Sequence, residues 1–208
     1  MIKVGNQMKK KKSYVFLILF LIVVGYLFAS RKENEEDIWQ SVLEQYSENL
    51  VGSKQVDLTH DGKDDLVVVS KYGEEIRLEV YTMVEDTPTL IYQDCAADNH
   101  AGWRWYYLTT AQDHQNYILQ YIPEIWNGIG TYRFEVLSFD ETGEKKILET
   151  QELSYDSLHV SEEEAAVLAE NLEDFKAAYK KWQESSTPLV VLGDDPLTGE
   201  TFDAVLEE

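Results

Sequence analysis

Trp103-Arg104-Trp105-Tyr106-Tyr107-Leu108-Thr109-Thr110 is the stretch on which the fold turns. On a strand, successive side chains point to opposite faces. Trp103, Trp105 and Tyr107 then share one face, and Arg104, Tyr106 and Leu108 share the other. Rings on both faces admit two readings. In one, the sheet is covered on both sides, by a helix at 161–184 and by a helix at about 35–50. In the other, an aromatic face stays open as a ligand platform for sugar or peptide, built from Trp103, Trp105, Trp126 and Tyr132. Solvent exposure of these rings separates the two.

Strand patterns extend outward from this stretch in both directions. Leu66, Val67, Val68 and Val69 form one strand, closed by Lys71-Tyr72-Gly73. Ile76, Leu78, Val80, Tyr81 and Met83 lie in a second, and Pro88 and Thr89 open a third. Residues 98–102 (DNHAG) read as a loop before the fourth strand, 103–110. A fifth covers 117–122. Asn127-Gly128-Ile129-Gly130 is a turn, and Tyr132, Phe134, Val136 and Leu137 form a sixth strand. Asp140-Glu141-Thr142-Gly143 leads into a seventh at 147–153. Strands that follow one another without helices between them make an antiparallel meander, not a parallel α/β sheet.

Helices flank the strands. Ile38, Trp39, Val42, Leu43, Tyr46 and Leu50 recur at helical spacing. Ser161 with Glu164 forms a capping box, and Lys180 and Lys181 suit the far end of the helix dipole. Val167 or Leu168, then Leu172, Phe175, Tyr179 and Trp182, form its apolar stripe. Ser185-Ser186-Thr187-Pro188 ends it, and 189–192 is a short last strand. The expected fold class is α+β. It is a mostly antiparallel β meander of about six to eight strands, flanked by an N-terminal and a C-terminal helix and preceded by one transmembrane helix.

Charge divides the chain. Of 18 Lys+Arg, seven fall in the first 32 residues, which contain no acid. The remainder holds 11 basic and 39 acidic residues, a net of −28 within the overall −21. Such a domain repels nucleic acid, so no nucleic-acid partner is expected. At 44% hydrophobic and 12% aromatic it is not a disordered acidic tail. Lys9-Lys10-Lys11-Lys12 precedes the uncharged run 14–29 (YVFLILFLIVVGYLFA), which Ser13 and Ser30 extend. A bilayer span needs roughly 17–25 residues, and the basic cluster stays cytoplasmic. Residues 1–12 read as a basic cytoplasmic tail and 13–30 as a transmembrane signal anchor in the lipid bilayer, with a cleaved signal peptide as the competing reading. The linker is 31–37, the extracytoplasmic domain 38–192 and an acidic C-terminal tail 193–208. The only cysteine, Cys95, excludes an internal disulfide and reads as a small core residue. The location is the cell membrane, single-pass, with the C-terminal domain outside.

The sharpest motif is Asp57-Leu58-Thr59-His60-Asp61-Gly62-Lys63-Asp64-Asp65. Asp57, Thr59, Asp61 and Asp65 place side-chain oxygens at loop positions 1, 3, 5 and 9, and Lys63 offers a carbonyl at 7. Gly62 stands where the chain must turn. Such spacing wraps a hard cation. A cation-free turn before a strand is the other reading of these residues. The segment resembles the DxNxDGxxDL loop of FG-GAP/VCBS-type repeats in bacterial surface proteins. Thr59 departs from the usual Asn or Asp there, and the chain holds one clear copy. The resemblance implies a structural calcium and an extracytoplasmic setting.

Nothing points to a specific reaction. His60, His100, His114 and His159 lack metal-pair spacing. Nucleophile-elbow, phosphate-loop and dinucleotide-binding glycine patterns are missing. With 39 acids, a chance carboxylate pair carries no inference. The expected function is a membrane-anchored binding or interaction module for a cell-envelope component or a membrane protein. The alternatives are an extracytoplasmic hydrolase-type enzyme and an accessory subunit of a membrane complex.

Overall fold

A computed structural model describes residues 36–97, 104–126, 129–156, 161–194 and 201–205. The chain divides into two units, 1–45 and 46–208. In the first, a helix α1 covers 36–43. Ser41 Oγ donates to the Ile38 carbonyl at 2.7 Å, and Trp39 and Val42 are buried. The span read at 13–30 lies outside the described residues. Among the described residues, no helix is long and apolar enough to cross a membrane.

The second unit begins within a 3-10 turn, Glu44–Tyr46. The strands are β1 (Leu50–Val56), β2 (Asp65–Tyr72), β3 (Glu75–Val84), β4 (Thr87–Ala97), β5 (Trp105–Thr110), β6 (Asn116–Trp126), β7 (Ile129–Phe139) and β8 (Lys145–Asp156). Helix α2 (Glu162–Gln183) follows, then β9 (Ser186–Asp194) and β10 (Thr201–Val205). Every pairing is antiparallel, but the strands form two sheets, one ordered β1-β2-β3-β4 and the other β10-β9-β5-β6-β7-β8.

A single meander was expected, and the chain instead changes sheet between β4 and β5. β5 takes β6 and β9 as neighbours, so β9 and β10 extend the second sheet on its far side. The stretch 193–208, read as a tail, thus contributes a strand.

The phase of the central strand explains the layers. Tyr106 and Leu108 meet Val67, Val69, Leu78, Val80 and Tyr92 of the four-stranded sheet. Trp105 and Tyr107 point the other way, with Tyr121 and Phe134, onto Phe175, Tyr179 and Trp182 of α2. Each such side chain contributes about 2–3 kcal/mol on burial. The six-stranded sheet is therefore covered on both faces, by α2 on one and by the four-stranded sheet on the other.

Helix α2 starts as its sequence dictates. Ser161 Oγ accepts from the Glu164 amide at 3.3 Å, and Glu164 Oε2 accepts from the Ser161 amide at 3.0 Å. Val167 is 56% exposed, so the stripe runs through Leu168.

The β7–β8 hairpin fastens one edge of the sandwich. Asp140 Oδ1 accepts from the Thr142 and Glu144 amides, at 3.0 and 3.1 Å. Gly143 has φ +80°, and a Cβ there would collide with Cγ2 of Ile91 on β4. The Lys145 ammonium lies 5.7 Å from the Tyr92 ring centre.

Candidate functional site

The 57–65 loop joins β1 to β2 and closes on its own hydrogen bonds. Asp57 Oδ1 accepts from the His60 amide at 2.7 Å and Oδ2 from the Gly62 amide at 3.0 Å. Asp61 Oδ1 accepts from the Lys63 amide at 2.9 Å, and Lys63 Nζ lies 3.5 Å from its Oδ2. Gly62 has φ +83°, the left-handed turn its position requires. Asp65 behaves differently. It is 1% exposed, and its Oδ2 accepts from the Leu58 amide and the Thr59 amide, each at 2.8 Å, and from Thr59 Oγ1 at 3.1 Å. Burial pushes its carboxyl up, although the Thr82 hydroxyl and these amides pull it down. A buried carboxylate already taken up by three donors fits a loop-closing role better than a ligand role. Among the described residues no group of three His, Cys, Asp or Glu side chains could hold an ion.

The loop is joined to the other sheet at the start of β6. Asn116 Nδ2 donates to the Asp57 carbonyl at 3.3 Å, and His60 Nε2 lies 3.0 Å from the Asn116 carbonyl. The His60 ring meets Tyr117 edge-on at 5.2 Å. Tyr117 meets Trp182 edge-on at 6.1 Å and donates to Asp113 Oδ2 at 2.8 Å. Burial and the Asp113 carboxylate push the Tyr117 hydroxyl up to about 12. The Gln115 amide and the Tyr117 hydroxyl hold Asp113 below the usual carboxylate range.

Beyond Tyr117 lies a cavity of about 600 Å³. The end of β5 supplies Thr110, the β5–β6 turn Asp113, β8 Leu148, and the end of α2 Lys181, Trp182 and Glu184. Leu148 reaches the cavity because the β7–β8 register slips there. Leu137 pairs with Ile147 and Val136 with Glu149, which leaves Leu148 as the bulged residue. Trp182 Nε1 donates to Glu149 Oε2 at 3.0 Å, and Thr109 Oγ1 donates to the Trp182 carbonyl at 2.9 Å. The helix end is thereby fixed against the sheet.

A second polar group lies between the sheets and was not expected from the sequence. Asp94 on β4 accepts from Arg104 Nη1 at 2.6 and 2.8 Å and from Gln120 Nε2 at 2.8 Å. The Tyr92 hydroxyl donates to it at 3.2 Å. Burial alone would raise the Asp94 carboxyl, but the Cys95 amide, the Tyr106 hydroxyl and Arg104 outweigh it and hold it low. The available signal was polarity out of pattern: Arg104 between two tryptophans, and Gln120 inside Tyr117-Ile118-Leu119-Gln120-Tyr121-Ile122.

Two expectations are corrected here. Cys95, read as a core residue, is exposed. Tyr92 and Asp94 face inward, so alternation sends Cys95 outward, across from Arg77 on β3. The open aromatic platform fails at Trp105 and Tyr132, which are 0% and 1% exposed and lie on the helix-covered face. Trp103 and the side chain of Trp126 lie outside the described residues.

No protein-family model matches this chain, and no curated protein or solved structure matches it either.

Proposed function

We propose that this protein is a membrane-anchored extracytoplasmic interaction module, whose domain binds a partner rather than transforming a substrate. The observation that carries this reading is the use made of its carboxylates. Asp65, Asp94, Asp113 and Asp140, whose ionisation is shifted, each hold a loop, a turn or the two sheets together. The cavity that Asp113 lines also carries the Trp182 ring, the aliphatic Leu148 and the charged side chains of Lys181 and Glu184, a mixed lining suited to recognition. The basic cluster before 13–30 supports the orientation.

Calcium belongs to this reading only as a stabiliser of the 57–65 loop. Four carboxylates in nine residues repel one another, and a divalent cation would offset that repulsion. The residues that would receive it are Asp57 and Asp61, with the Lys63 carbonyl, since Asp65 and Thr59 are bonded to each other.

Two measurements test the proposal. Protease added to intact cells should remove the domain and leave the anchor, and a domain protected from it refutes the orientation. Pull-down from detergent-solubilised membranes, with calcium present or chelated, should recover a reproducible partner. Recovery of the chain alone under both conditions refutes the interaction role.

A further inference from the structure

The cavity at the end of α2 gathers features that attract a positive charge attached to an apolar body. Asp113 on one wall stays ionised, because the Gln115 amide at 2.9 Å and the Tyr117 hydroxyl hold it so. Glu184 lies on another wall, and Glu149 stands beside Trp182. The cavity also lies against the C-terminal end of a 22-residue helix, where the backbone dipole is negative. Leu148 and the Trp182 ring supply apolar surface, and an indole face attracts a cation.

One cation already responds to this environment. Lys181 Nζ lies 5.4 Å from the Trp182 ring centre and 3.9 Å from Glu149 Oε2. Its side chain is 65% exposed, so it is free to leave. The occupant that matches is an alkyl chain ending in a charge, the shape of a lysine or arginine side chain. Residues 33–208, with a net of −28, favour a basic partner on approach as well.

We propose that this cavity captures a lysine or arginine side chain from a basic segment of a partner protein, displacing Lys181 from Trp182 and Glu149. The proposal rests on the reading of the domain as an interaction module. It adds a place and a chemistry: Asp113 and Glu184 receive the charge, and Leu148 and Trp182 receive the alkyl stem.

The test uses the full chain in nanodiscs of zwitterionic lipid, so that a basic peptide is not drawn to the bilayer. The probe is the peptide Lys-Leu-Lys-Leu-Lys, with Glu-Leu-Glu-Leu-Glu as the control. The readout is the indole N–H resonance of Trp182, assigned by its loss in Trp182→Phe. The basic peptide should shift that resonance saturably, and the acidic peptide should not. Asp113→Asn should weaken binding about threefold or more, and Lys181→Gln, by removing the internal competitor, should tighten it by a similar factor. Lys181→Gln should melt with the parent chain, and Asp113→Asn, which weakens the turn closed by the Gln115 amide and the Tyr117 hydroxyl, is compared at a temperature where it is fully folded. An absent shift, an equal shift with the acidic peptide, or no tightening in Lys181→Gln overturns the proposal. If the Asp113→Asn chain still recovers the parent's membrane partner while the peptide fails to bind, this pocket is refuted and the module reading stands. If the peptide binds as expected but membranes yield no partner, the pocket stands and the module reading is refuted.

Discussion

Arg104 Nη1 lies 2.6 Å from Asp94 Oδ1, and this pair ties the last strand of the four-stranded sheet to the chain entering the first strand of the other. Arg104 is 37% exposed, so the attraction is partly screened. The Gln120 amide and the Tyr92 hydroxyl share the same carboxylate. Asp94→Ala is expected to destabilise the domain by about 2 kcal/mol, since it leaves Gln120 and Arg104 without their acceptor. Urea denaturation checks this, and a change below about 0.5 kcal/mol would remove the pair from any role in holding the sheets.

The same carboxylate sets a pH dependence. Its folded-state pKa is depressed, so its contribution is present above the ordinary carboxylate range, near pH 4, and is lost as pH falls through the lower folded value. Asp113 and Asp140 act in the same direction, whereas buried Asp65, raised in the fold, acts in the opposite one. Asp94→Asn should flatten the decline of melting temperature below pH 4. A decline identical to that of the parent chain contradicts the assignment.

Gly143→Ala should destabilise for two separable reasons. Its φ of +80° disfavours any L side chain, and the new methyl meets Ile91. The expected loss is about 2–3 kcal/mol, and adding Ile91→Ala should leave only the backbone part, about 1 kcal/mol, above the cost of Ile91→Ala itself. A double-mutant cycle with no coupling would show that the hairpin does not press on β4.

Within the 57–65 loop the two ends should differ sharply. Asp65→Ala removes the acceptor of two amides and a hydroxyl in a buried place, at a cost of about 2–4 kcal/mol. Asp61→Ala, measured with calcium chelated, should lie within about 0.5 kcal/mol of the parent. Added calcium should raise the melting temperature of the parent chain but not that of Asp61→Ala. Equal responses in the two chains refute the cation at this loop.

How far the sequence could be read follows from the range of the interactions involved. β2, β3, β5, β6 and β7 were legible because their alternation is strong and their turns carry Gly, Pro or Asp. The capping box of Ser161 and Glu164 was legible because it is local. β1 was not, because Gly52, Lys54 and Gln55 interrupt its pattern, and its place depends on pairing with β2. β10 was hidden in an acidic stretch, where only pairing with β9 makes a strand. The division into two sheets depends on β5 choosing β9, a partner remote in sequence, and no local pattern encodes that. At the candidate site the loop motif was visible. The direction of Asp65 was not, because it is set by burial, and the cavity appears only when the β5–β6 turn, the β8 bulge and the end of α2 are brought together.

The placement of β9 beside β5 has a consequence for the order of assembly. The four-stranded sheet pairs only sequence neighbours, so it can form as soon as β4 leaves the ribosome. β5 must wait for its second neighbour until α2 has been made. Thr109 meets Ser185 across 76 residues of chain. Closing so large a loop is slow. In the interval one edge of β5 is bare, with Trp105, Tyr106 and Tyr107 beside it, and such an edge is prone to mispairing. The late strands β9 and β10 therefore serve as a clasp that ends this vulnerable period, and deleting them should impair the yield of folded protein more than their small size suggests.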